Sequence, residues 1–233
     1  MNAHLPMVLP VAVPLALILI GEVLLFTGNL EACVIVHLLN ILICVMAPIL
    51  LKENPILWQS FSLVSILRVM NLGMPKFATM TLYWIPLVYA PVIVVAFLLI
   101  RDESLGIKDY FRDLKRFFTI SPKASGWKSY YLLFGFAIAI LLANLEFKIL
   151  GMTVPDLRMI PDLGFLNMGL LFGVMVFFVG LGEELVFRYI LQARLEGAIG
   201  VIGAILISSV AFAAMHSGYQ SIPYSSPGWG RPS

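Results

Sequence analysis

The chain has 233 residues, of which 61% are hydrophobic and only 12% are charged, and its mean hydropathy is +0.97. Soluble domains carry about 25% charged residues, so a chain this apolar could not keep a water-facing surface. The composition therefore excludes a soluble domain and predicts an integral, multi-pass protein of a lipid bilayer, which we expect to be the cell membrane. Two cysteines, Cys33 and Cys44, cannot form a disulfide framework and are expected to pack.

Seven apolar runs follow one another along the chain, each able to span or nearly span a hydrocarbon layer of about 30 Å. They cover about residues 7–28, 32–51, 56–72, 77–100, 129–150, 165–194 and 198–216. The third run is the weakest because it contains Gln59, several serines and Arg68, and it could lie at the interface or inside the bundle. The sequence therefore predicts an all-α, polytopic transmembrane helix bundle of about seven spans.

One polar stretch, residues 101–128, holds seven of the 15 basic residues. The positive-inside rule places it in the cytoplasm. We therefore divide the chain into N-terminal transmembrane helices at 1–100, a basic cytoplasmic loop at 101–128, a core at 129–216 and an unstructured tail at 217–233.

Two adjacent glutamates, Glu183 and Glu184, follow a long apolar run without a break. Ionisable groups at membrane depth are costly unless they are paired or hydrated. Glu184 and Arg188 are four residues apart and can pair on one helix face, whereas Glu183 points about 100° away. Such a pair could simply lock two helices together, but the pattern favours a functional role, with Glu183 available as a general base or acid.

His216 ends the next apolar run, four residues after Phe212. If the turn between the two runs is centred near residue 198, Glu183 lies about 15 residues before it and His216 about 18 after it, so their depths agree to about one helical turn. Adjacent antiparallel helices could therefore bring Glu183 and His216 together. A carboxylate and an imidazole could then activate a water molecule or bind a metal ion.

The two motifs together, Glu183-Glu184-x-x-x-Arg188 and Phe212-x-x-x-His216, resemble the CPBP intramembrane protease family. This family includes the type II CAAX prenyl endopeptidases and relatives described as abortive-infection or bacteriocin-immunity proteins. The resemblance covers about residues 165–216, and it implies an enzyme that hydrolyses a membrane-associated peptide or protein.

The resemblance also implies a role for each residue of the two motifs. Glu183 would activate the water, Glu184 and Arg188 would support it as a pair, and His216 would help to position the water. The family is described both as metalloproteases and as glutamate-based enzymes, so a divalent metal such as zinc at Glu183 and His216 stays open.

A third motif of the family, a histidine followed four residues later by asparagine or a similar residue, has no counterpart after His216. Residues 217–233 contain neither histidine nor asparagine. His4 and His37 lie too early in the chain to replace it. Truncation, a frameshift in the tail or a degenerate, inactive relative would each produce this pattern.

Two other functions stay open. The two glutamates, Arg188 and His216, with Glu22 and Glu146, could line the path of a proton- or cation-coupled transporter. The same cavity could instead bind a partner in a non-catalytic membrane scaffold or immunity protein. No phosphate loop, dinucleotide fingerprint or His-Glu-x-x-His motif occurs, and nothing in the sequence suggests nucleic-acid binding.

Overall fold

The computed structural model describes residues 5–52, 55–74, 81–102 and 160–217, together with positions 133–134, 137–138, 140–141 and 144–145. Within these residues the regular structure is helical and no strand occurs, which confirms the predicted all-α class. The chain divides into two compact units, Met1–Ala96 with Arg158–Ser233 and Phe97–Leu157. Of the predicted loop at 101–128 only residues 101–102 are described, and of the predicted tail at 217–233 only Ser217; the rest of both lies outside the described residues.

Four long helices form the N-terminal part of the chain. They are α1 (Leu5–Phe26), α2 (Leu30–Leu51), α3 (Pro55–Leu72) and α4 (Thr81–Asp102). Gly28 adopts a φ of 85° between α1 and α2, a conformation that glycine reaches without a steric penalty. Asn29 then caps α2, since its side-chain oxygen accepts a hydrogen bond of 3.1 Å from the backbone N–H of Ala32.

Helix α3 corresponds to the weakest apolar run and is packed inside the bundle. Eleven of its 18 residues are buried, and it contacts α1, α2 and the later helical segment that carries Arg188. Protein neighbours surround its serines and Arg68, so these polar groups do not meet lipid. The structure thus decides between the two placements that the sequence left open.

One helical stretch carries both predicted motifs. It comprises α5 (Phe165–Val174), π1 (Met175–Gly180), α6 (Leu181–Glu183), π2 (Glu184–Gln192) and α7 (Ala193–Ser217). In π1 and π2 the helix is widened, a feature that is rare in proteins and frequent at functional sites. Gly200 interrupts α7 with a φ of 79° and a ψ of 167°, so the chain changes direction there.

Among the described residues, four stretches are long and apolar enough to cross a membrane: Val8–Phe26, Leu30–Leu51, Leu82–Ile100 and Phe165–His216. The last has 52 residues, about 78 Å of helix, which is far more than one bilayer crossing needs. The break at Gly200 divides it into two helices that match the sixth and seventh apolar runs. The fifth run is described only at eight helical positions, so the predicted total of seven spans stays a prediction.

A buried polar cluster ties α1, α2 and α3 together. Glu22 of α1 forms an ion pair with Arg68 of α3, and its other carboxylate oxygen lies 3.4 Å from Nε2 of His37 in α2. Nδ1 of His37 lies 3.1 Å from the hydroxyl of Ser65, which also accepts a hydrogen bond of 2.8 Å from Asn40. All five side chains are almost fully buried, so polar neighbours in the bundle replace water around them, although Oε1 of Glu22 and Nε2 of His37 have no partner in hydrogen-bonding geometry among the described residues.

Candidate active site

Glu183 and His216 lie side by side. Oε1 of Glu183 is 3.7 Å from Nε2 of His216, and the exposed fractions of the two side chains are 17% and 44%. Glu183 belongs to α6, before the break at Gly200, and His216 lies near the end of α7, after it. The predicted meeting of these two residues therefore occurs, with the turn two residues later than the sequence suggested.

The imidazole of His216 is oriented by its own helix. Its Nδ1 lies 2.9 Å from the carbonyl oxygen of Phe212, one turn earlier. A proton on Nδ1 can be donated to that carbonyl, which leaves Nε2 with a lone pair on the side of Glu183. The ring of Phe212 stacks on the imidazole at 4.4 Å between centroids and meets Phe187 edge-on at 5.2 Å, so aromatic packing holds the ring in place.

Glu184 and Arg188 form the ion pair predicted from their spacing. Nε of Arg188 lies 3.4 Å from Oε2 of Glu184, and both side chains are exposed. The two adjacent glutamates therefore have different surroundings: Glu184 is open and paired with a cation, whereas Glu183 is mostly enclosed. An exposed ion pair adds little stability where it is hydrated, about 0–1 kcal/mol.

A cavity of about 410 Å³ opens beside the two glutamates, between π2 and the second half of α7. Polar groups from both walls face it, including Arg188, Gln192, Ser208 and Ser209. Phe187, Phe212 and Ile205 supply apolar surface. Such a mixture suits a peptide segment, whose backbone needs hydrogen-bonding partners while its side chains need apolar contacts.

Tyr89 of α4 is a neighbour of Glu183 that sequence reasoning missed. Its hydroxyl donates a hydrogen bond of 3.3 Å to Oε1 of Glu183, and it accepts one of 3.5 Å from the side-chain amide of Asn71 in α3. A tyrosine within an apolar run carries no motif that would have singled it out. Only the packing of α4 against α6 reveals the contact.

Gly182 allows this close approach of α4. A Cβ atom at position 182 would lie 2.7 Å from Cδ1 of Tyr89, well inside the contact distance of real side chains. The glycine immediately before Glu183 therefore has a packing role, because it lets the ring of Tyr89 lie against the helix that carries the carboxylate.

Replacing Gly182 by alanine should destabilise the protein by about 1–3 kcal/mol, the range for overpacking, and should reduce any activity that depends on Glu183. Thermal unfolding in detergent measures the first effect. Gly173→Ala is the matched control, since nothing lies within 4 Å of its added Cβ atom. Equal unfolding temperatures for the two variants would show that the contact with Tyr89 is unimportant.

Glu183 and His216 supply one carboxylate and one imidazole, both of which are side chains that bind zinc in proteins. Among the described residues, no group of three or more His, Cys, Asp or Glu side chains could hold a metal ion. Catalytic zinc sites ordinarily have three protein ligands, so the donor set in this part of the chain does not fit one.

Comparison with known proteins bears on the segment that carries both motifs. No curated protein and no solved structure matches the chain. Residues 165–230 match the family model described as type II CAAX prenyl endopeptidase Rce1-like. This match confirms the resemblance predicted from the two motifs: residues 165–230 are similar to the Rce1-like type II CAAX prenyl endopeptidases.

Proposed function

We propose that the protein is an intramembrane endopeptidase of the CPBP type, which hydrolyses a membrane-associated peptide with a water molecule activated by Glu183 and His216. The observation that carries the proposal is the separation of 3.7 Å between Oε1 of Glu183 and Nε2 of His216. The family match over residues 165–230 supports the reaction class. The family name suggests prenylated C-terminal motifs as one substrate class.

The geometry between the two side chains suits a water molecule. A carboxylate oxygen and an unprotonated Nε2 are both hydrogen-bond acceptors, and neither can donate to the other. A water molecule about 2.8 Å from each atom could donate one hydrogen to each of them. Its remaining lone pairs would then be free to attack.

In the proposed reaction the water oxygen attacks the scissile carbonyl carbon while Glu183 accepts the proton that the water loses. Collapse of the tetrahedral intermediate breaks the C–N bond, and the proton passes from Glu183 to the leaving amine. His216 holds the water through Nε2, and the exposed pair of Glu184 and Arg188 lines the cavity. We propose that the cavity opens toward the cytoplasmic side.

The transporter alternative loses one of its expected residues. Glu22 is buried in its ion pair with Arg68 and does not line the cavity beside Glu183. Glu146 lies outside the described residues. The scaffold alternative would bind a partner in the same cavity without cleaving it.

The test uses the full chain in liposomes with membrane-associated peptides, including prenylated ones, and mass spectrometry of the products. We expect new peptide termini with the wild type and none with Glu183→Ala. Ion flux without peptide products, lost in Glu183→Ala, would replace the proposal by a transporter. Stable peptide binding with neither products nor flux would favour the scaffold.

A further inference from the structure

We propose that Tyr89 is a positioning residue for Glu183 and that Asn71 acts through Tyr89. The inference rests on the proposed peptidase function. It extends the site beyond residues 165–230, the segment that matches the family, to helices α3 and α4.

Asn71, Tyr89 and Glu183 are connected by two hydrogen bonds that both donate in the direction of Glu183. The amide nitrogen of Asn71 can only donate, so the hydroxyl of Tyr89 accepts there and its own hydrogen goes to Glu183. Tyr89 and Asn71 are both buried, with exposed fractions of 4% and 8%. Water therefore competes weakly at Tyr89 and Asn71, and a donor to a partly buried carboxylate restricts its orientation.

The hydroxyl binds the same carboxylate oxygen that faces His216. Oε1 of Glu183 accepts from Tyr89 at 3.3 Å and lies 3.7 Å from Nε2 of His216. One lone pair of Oε1 is thus directed to α4, and the other remains for the water. Without the hydroxyl, the carboxylate could rotate about its last bond and lose its alignment with His216.

Tyr89→Phe removes the hydroxyl and keeps the ring against Gly182. We expect kcat to fall about 10- to 100-fold, the effect of losing a hydrogen bond to a charged group. KM should be unchanged, because Tyr89 does not line the cavity. Tyr83→Phe is the matched control, an exposed tyrosine on the same helix, and it should keep full activity. An equal kcat in both variants would overturn the proposal.

The link to Asn71 is tested by a double-mutant cycle. Asn71→Ala should lower kcat by about threefold in the wild type and have no further effect in the Tyr89→Phe background, because residues that act through one contact are not additive. If the kcat losses of Asn71→Ala and Tyr89→Phe multiply in the double variant, Asn71 does not act through Tyr89 and instead stabilises the fold in general.

A measurement without turnover separates this proposal from the peptidase proposal. A water-soluble carbodiimide with an amine labels accessible carboxyl groups, and mass spectrometry compares Glu183 with Glu184 in the same molecule. We expect Tyr89→Phe to raise labelling of Glu183 several-fold relative to Glu184, because the carboxylate is released. An unchanged ratio would overturn the role of Tyr89 even if the wild type cleaves peptides. An increased ratio in a protein without cleavage would instead refute only the peptidase.

Discussion

Glu183→Gln should lower the rate of peptide hydrolysis by about 10³-fold, within the range for removal of a general base. Glutamine has nearly the same size and can still accept the hydrogen bond from Tyr89, but it cannot take a proton from water. The variant should therefore fold as the wild type does. Steady-state cleavage of a membrane-associated peptide in liposomes gives the rate, and binding of the same peptide should be retained.

Glu184→Gln is the matched control for this prediction. It changes the adjacent glutamate in the same way, but the side chain is exposed and its partner Arg188 is exposed too. We expect a loss of less than about tenfold, because such pairs contribute little. Similar losses in the two variants would show that the carboxylates have no separate roles and would contradict the assignment of Glu183.

Arg68→Met should lower the free energy of unfolding by about 3–5 kcal/mol, the cost of leaving a buried charge without its partner. Glu22 would then remain almost fully enclosed, close to the buried His37. Thermal or denaturant unfolding in detergent measures the loss. Because no residue of this cluster lines the cavity beside Glu183, the effect should appear in stability rather than in the chemical step.

The double variant Glu22→Gln with Arg68→Met tests whether the unpaired charge of Glu22 causes the loss of stability. Removing both charges should recover most of the stability, since replacement of a whole buried pair is often close to neutral. If the double variant is as unstable as Arg68→Met alone, the loss comes from packing around the long Arg68 side chain and the electrostatic account is wrong.

The parts of the site that follow from local helix geometry could be predicted from the sequence. The spacing of four residues indicated that Glu184 and Arg188 can pair, and the rise per residue indicated that Glu183 and His216 could meet, and the structure has both contacts. The four described N-terminal helices also follow the apolar runs, because in lipid only an internally hydrogen-bonded helix satisfies such segments.

The parts that depend on tertiary packing could not be predicted. Tyr89 reaches Glu183 across 94 residues of sequence, and no periodicity connects the two positions. The π-helical segments around α6, at Met175–Gly180 and Glu184–Gln192, were also not predicted. Likewise, the burial of α3 follows from the partners of Arg68 and Ser65, which lie on two other helices.

The central claim is that Glu183 and His216 act on one water molecule, and a double-mutant cycle tests it most directly. Cleavage rates are compared for Glu183→Gln, His216→Gln and the variant carrying both changes, in the same liposomes with the same peptide. If both residues serve one water, the double variant should be about as slow as the slower single variant, because residues that act as a unit are not additive. Losses that multiply would contradict the account and would mean that the two side chains contribute separately.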